Sequence, residues 1–233
     1  MKVRAATDAD VPAIAAIILA AAAAEVPWKS YLPAGACRDP ILVQHVEAVA
    51  RAHIVARDSA VVVGELSAAE SGRDTPEVVS VAVWDTTTAA ERDDSWAAVE
   101  EHHAQLAALD TAMRRGRQLY FAAEPPHLFL RVLATHPDRR GRGYAKALCR
   151  WGMALARRRR VGVCVETGAA RGYVLFSGLG FRDLGVVDLP PVRGRHEGTE
   201  EEGQVLKALR MDAEAVRAAN PGAWDSFCKY IFG

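Results

Sequence analysis

Between Pro137 and Gly143 the chain reads Asp138-Arg139-Arg140-Gly141-Arg142, a basic, glycine-bearing loop between an apolar run and a stretch of helical character. Such a loop can hold an anion. The first turn of a helix leaves four N–H groups without intrahelical partners, and the macrodipole adds about half a positive charge there. Gly141 and Gly143 carry no side chain, so a phosphate can approach the backbone amides, and Arg140 and Arg142 can add charge. The pattern is not GxxxxGKS/T, because no Lys-Ser/Thr follows the second glycine, and not GxGxxG, because the third glycine is absent. By itself it is a phosphate-binding loop of unstated purpose, or a charged turn between strand and helix.

The elements that must position this loop follow from the hydrophobic patterning. Lys2–Ala6 reads as a short strand. Thr7-Asp8-Ala9-Asp10-Val11-Pro12 has a capping side chain, first-turn acids and an early proline, so an alanine-rich helix should follow. That apolar stretch, Val11 to Ala24, is shorter than the ~20 residues of a membrane span and has acids in front of it, so it is expected to be a buried helix of a soluble, cytoplasmic protein. A loop with three prolines, Pro27 to Pro40, leads to a helix over Ile41–Val55. Ser59–Leu66 and Glu77–Thr87 are β-branched runs that read as a hairpin. A surface helix is expected over Asp93–Arg115, burying Trp96, Val99, Leu106, Leu109 and Met113. His127–Ala134 is a strand, Gly143–Arg159 a helix, Val161–Glu166 a strand and Arg171–Leu179 a helix. Phe181–Leu189 and Gln204–Met211 are closing strands joined by a charged loop. This order predicts a mixed α/β fold, taken as a single domain over 1–233 with its core in 1–190 and a C-terminal strand and tail.

Composition narrows the function. The 233 residues carry 29 Lys+Arg and 29 Asp+Glu, so no global field draws the chain to nucleic acid or an anionic membrane. Half of the chain is apolar and 25% is charged, as expected of a folded protein. Cys37, Cys149, Cys164 and Cys228 form no CxxC pair, which argues against a disulfide framework or a zinc site and for a reducing compartment. Arg157–Arg160 ends a helix, where cations suit the negative end of the dipole, so no nucleic-acid contact is expected of it. His102 and His103, adjacent on a helix, diverge and make no metal pair.

In context, the loop says more. His136-Pro137-x-x-Arg140-Gly141-Arg142-Gly143-Tyr144-Ala145 resembles the coenzyme A pyrophosphate motif, Q/R-x-x-G-x-G/A, of the GCN5-related N-acetyltransferase (GNAT) superfamily. Leu175-Phe176-Ser177-Gly178-Leu179-Gly180-Phe181 resembles its LYxxxGF segment, and the opening Val3 to Asp10 resembles its first strand and helix start. Within the superfamily, Glu166-Thr167-Gly168-Ala169-Ala170-Arg171 leading to Phe181 is most similar to the puromycin N-acetyltransferase branch. The resemblance implies an α/β GNAT fold: a central mixed, mostly antiparallel sheet splayed between its fourth and fifth strands and flanked by helices. It also implies acetyl-CoA as co-substrate, without a metal. Its pyrophosphate would lie on the amides of Arg142, Gly143, Tyr144 and Ala145, and its pantetheine arm would pair with the backbone of Leu133, Ala134 and Thr135. The partner would be a small-molecule amine, and the protein a monomer or homodimer.

Acetyl transfer to an amine needs a base for the amine, donors for the oxyanion, and stabilisation of the leaving thiolate. The family's usual acid is the tyrosine of LYxxxGF, and here that position is Phe176. Tyr173, one helical turn earlier, is the candidate substitute; the alternative is that Tyr173 only packs. Glu166, ending a strand where the splay would open, is the first candidate base, with a salt bridge or helix cap as its structural alternative. Asp85 and His136 follow. Trp28, Tyr31, Trp84 and Asp85 are candidates for the acceptor pocket. The expected activity is N-acetylation of a small primary amine. The alternatives are acetylation of a protein amine and a catalytically weakened CoA-binding sensor.

Overall fold

The computed structural model describes residues 1–86, 104–192 and 204–219. Strand β1 (Lys2–Ala5) leads through a 3-10 turn at Asp8–Asp10 into helix α1 (Val11–Ala23). Thr7 and Asp10 form a reciprocal capping box at the turn. The apolar run is the buried helix expected: Val11, Ile14, Ala15, Ile17 and Leu19 all face the interior. A short helix α2 (Trp28–Tyr31) lies in the proline-rich segment, and α3 (Pro40–Val55) starts with the Asp39 carboxylate accepting from Ile41 N and Leu42 N. Strand β2 (Ser59–Leu66), the short helix α4 (Ala68–Ser71) and strand β3 (Glu77–Asp85) form the hairpin.

Helix α5 (Ala104–Phe121) runs past the expected end at Arg115; Gly116 lets it lie directly on Val187. Trp96, Val99, His102 and His103 lie outside the described residues. Strand β4 (His127–Thr135), helix α6 (Tyr144–Arg159), strand β5 (Gly162–Gly168), helix α7 (Arg171–Gly178), strands β6 (Arg182–Asp188) and β7 (Val205–Met211) and helix α8 (Ala213–Ala218) complete the chain. The expected charged loop before β7, Arg193–Gly203, lies outside the described residues. Helix α8 has no counterpart in the sequence reading: Arg157 of α6 donates to the carbonyls of Val216 and Ala219 at its end.

The seven strands form one open sheet in the order β1-β2-β3-β4-β5-β7-β6. Every neighbouring pair is antiparallel except β4–β5, which is parallel. That pair is also the shortest match relative to its strands. Only His127–Leu130 faces Gly162–Val165; beyond them β4 runs on to Thr135 and β5 to Gly168 without pairing each other. A bulge assists the divergence. Across β3–β4 the register jumps from Val83↔Val132 to Trp84↔Leu130, so Arg131 is inserted in β4, and bulges bend the strand that carries them.

One face of the sheet is covered by α6 and α8, with Trp84, Leu128, Leu148, Met153 and Leu209 in its core. The other carries α1, α3 and α5. Helix α6 can lie against Trp84 because Gly152 offers no side chain there; a Cβ at that position would overlap the indole. No helix among the described residues is long and apolar enough to cross a membrane.

Candidate active site

Where β4 and β5 part, a cleft of about 1420 Å³ opens. One wall is the unpaired edge of β4 from Arg131 to Thr135, and the other is Val165–Gly168 of β5 with α7. The basic loop closes one end, and α1, α3 and α5 close the remainder.

The loop has the geometry that its glycines require. Gly141 and Gly143 have φ of 76° and 78°, in the left-handed region that a side chain disfavours. Gly143 is the N-cap of α6, and no side chain caps that helix, so its first amides remain available. The loop's arginines divide their work. Arg139 is paired with Glu77, and Arg140 reaches Glu25 Oε2 at 3.3 Å and the Ala21 carbonyl at 3.4 Å. These two therefore tie the loop to β3 and α1; Arg142 stays exposed. Thr135, at the end of β4, adds a buried Oγ1 with no hydrogen-bond partner. An uncapped helix start, an unpaired strand edge and an orphaned hydroxyl on one cleft are what an extended ligand ending in a phosphate needs. The residues present thus fit an acyl-coenzyme A.

Glu166 lies in the same cleft. Its side chain is only 3% exposed, and its Oε2 accepts from Arg117 of α5 at 3.2 Å. Its other oxygen, Oε1, is buried with no partner. Burial raises the carboxyl to about 7, the dominant effect, while the charges of Arg117 and, further off, Arg131 pull the other way. The guanidinium of Arg117 also lies 5.9 Å from the centroid of the Phe129 ring, which helps to fix it.

The structure brings Leu133, Ala134, Thr135, Arg140, Gly141, Arg142, Gly143, Tyr144, Ala145, Glu166 and Trp28 onto this cleft. Five expectations are corrected. Tyr173 does not line it: its ring lies 5.3 Å from Lys207 Nζ on the β6–β7 side. Phe176, where the family motif has tyrosine, does line it, against the edge of Phe181. Trp84 is 1% exposed and faces α6, because side chains alternate along β3 and its parity matches Ala82. Tyr31 donates to the Pro190 carbonyl at 2.6 Å, and burial pushes its phenol up to about 12. Asp85 is held by Arg131 at 2.6 Å, and His136 Nδ1 accepts from Asp138 N at 3.3 Å; neither lines the cleft.

Sequence reasoning missed Arg117, Asp110 and the contributions of α1 and α3. The signal for α5 was present as the stripe Leu106, Leu109 and Met113, but a stripe at helical spacing reads as core whether it faces a sheet or a cleft wall.

A mixed open sheet, parallel only at a β4–β5 pair that splays beside a glycine-bearing helix start, is the GNAT fold. Residues 74–181, β3 through α7, match the sequence model of the Acetyltransferase (GNAT) family. That stretch of the chain is similar to the GNAT acetyltransferase family, and the whole sheet has its fold. No curated protein matches the chain. Among solved structures it is similar to the histone acetyltransferase HPA2 and related acetyltransferase from Corynebacterium glutamicum, at 23% identity and TM-score 0.56 over 90% of this chain and 94% of that one. It is similar to mosquito arylalkylamine N-acetyltransferase like 5b at 17% identity and TM-score 0.54, covering 91% of this chain and 99% of that one. A third similar structure is yncA from Salmonella typhimurium with its cofactor acetyl-CoA, at 16% identity and TM-score 0.52 over 91% and 93% of the two chains.

Proposed function

We propose that the protein is an N-acetyltransferase that moves the acetyl group of acetyl-CoA to the primary amine of a small molecule, by direct attack within a ternary complex. The observation that carries this reading is Glu166: a buried carboxylate with one oxygen unpartnered, in the same cleft as the uncapped, glycine-bearing helix start. The yncA structure with its acetyl-CoA supports the choice of co-substrate.

Acetyl-CoA supplies an acetyl thioester. Amides at Arg142, Gly143, Tyr144 and Ala145 would receive the pyrophosphate, and the free β4 edge at Leu133–Thr135 would pair with the pantetheine arm. An amide near Leu133 or Ala134 would hold the carbonyl oxygen. Glu166 takes a proton from the acceptor's ammonium; the amine nitrogen then forms the C–N bond as the C–S bond breaks, and the second proton that the nitrogen sheds passes to the departing thiolate, giving the CoA thiol. With a carboxyl at about 7, this base is poised near neutral pH, where general bases are most effective. Phe176 has no proton to give, so the thiolate is expected to leave without a protein acid. Holding two reactants together can supply roughly 7–11 kcal/mol of the barrier. Release of free CoA thiol from acetyl-CoA with a panel of amines tests the proposal. Amine-dependent release is expected; thermal protection by acetyl-CoA with no release for any amine would point to a binding module without catalysis.

A further inference from the structure

The part of the cleft remote from the basic loop has a composition of its own. Helix α5 lines it with Leu106, Leu109 and Met113, ending at Arg117, the partner of Glu166. These positions follow one face of the helix, with Met113, Leu109 and Leu106 about 6, 12 and 16 Å from Arg117 along the axis at about 1.5 Å per residue. Ile14 and Ile18 of α1 and Val49 of α3 also line the cleft.

The charges are as informative as the apolar stripe. Asp110, one turn before Arg114, is held by it at 2.7 Å. Glu25 is paired with Arg140. Outside the cleft lining, Asp85 is bound by Arg131, which does line it. Of the polar side chains on the α3 wall, His53 is 1% exposed and bonded to Ser59 Oγ at 2.9 Å, and His45, about two turns earlier on the helix, is also in the lining. Among the described residues, the buried carboxylate oxygen without a hydrogen-bond partner is therefore Glu166 Oε1. A second positive charge further along the acceptor would meet an apolar stripe and arginine-paired acids, and leaving a buried charge unpaired is costly.

From this we infer that the acceptor is a monoamine with an extended apolar body, its nitrogen at Glu166 and its body along the Leu106–Leu109–Met113 stripe of α5. This rests on the acetyltransferase reading above and adds to it the class of acceptor. Polyamines are poor fits, because among the described residues of the cleft lining Asp110 and Glu25 are already held by arginines, and an aminosugar would set its ring of hydroxyls against the apolar stripe.

The test is kcat/KM for CoA thiol release along the n-alkylamines from propylamine to hexylamine, with spermidine and glucosamine as polar arms. Basicity is nearly constant along the series, so the slope reports burial of the chain. An increase of about fourfold per methylene is expected, equivalent to about 0.8 kcal/mol for each buried CH₂, with both polar arms below propylamine. A flat or falling series, or a preference for spermidine or glucosamine, overturns the inference and leaves acetyl transfer standing. No thiol release with any of these amines, nor with a peptide bearing a free N-terminus, overturns the proposed function and the inference with it. Met113→Asp places a carboxylate on the stripe, and it should lower kcat/KM for hexylamine at least tenfold while 1,4-diaminobutane gains relative to it. An unchanged ratio of the two amines would also overturn the inference.

Discussion

The chemistry of the cleft turns on a carboxylate pulled in two directions. Desolvation lifts Glu166 to about 7, and Arg117 restrains that rise by its charge and its hydrogen bond. Arg117 is thus a positioning residue: it occupies Oε2 and leaves Oε1 without a partner. Removing it takes away a stabilising charge from the ionised form, so Arg117→Met should raise Glu166 further. The acidic limb of the pH–kcat/KM profile should then move up by about one pH unit. A limb that stays in place would show that Arg117 does not set the base. Tyr173, turned toward Lys207 and away from the cleft, should be dispensable. Tyr173→Phe is expected to keep its turnover within about threefold, whereas loss of a true general acid costs ~10²–10⁴.

At the scale of the elements, the parting of β4 from β5 makes the site, and the packing of α6 secures the loop that closes it. Helix α6 reaches the sheet over Trp84 only because Gly152 is there. Gly152→Ala would gain about 1 kcal/mol of helix propensity but would force the indole or the helix to move. Overpacking of this kind costs about 1–3 kcal/mol, so a net fall in melting temperature is expected, read by calorimetry with and without acetyl-CoA. A variant as stable as the parent would mean that the contact relaxes freely. The strands and the loop were legible in the sequence because their signals are local: β-branched runs bounded by turn residues, and glycines at a helix start. Trp84 was not. Alternation along β3 fixes that Trp84 and Asp85 face opposite sides, but only the helices laid on each face decide which side holds the cleft. The extension of α5 past Arg115 was hidden as well, because Gly116 weakens a helix by propensity and is favoured here by its contact with Val187.

Across the whole molecule, the cleft gathers residues from α1 near the start of the chain to α7 near residue 176. Such long-range assembly explains why Glu166 was identifiable as the end of a strand while its partner Arg117 was not. The net charge of zero takes on local meaning here. Arg139, Arg140, Arg131 and Arg114 each neutralise a carboxylate, leaving exposed Arg142 beside the helix start and the unpartnered oxygen of Glu166 beside the strands. One end of the cleft thereby favours an anion and the other a cation. The measurement that tests this account most directly is the pH dependence of kcat/KM for the native protein and for Glu166→Gln. The native profile should rise through pH about 7 as Glu166 ionises, since the base works only as the carboxylate. The variant should lose that limb and fall by ~10²–10⁴. A Glu166→Gln enzyme with the same acidic limb and nearly the same rate would contradict the account.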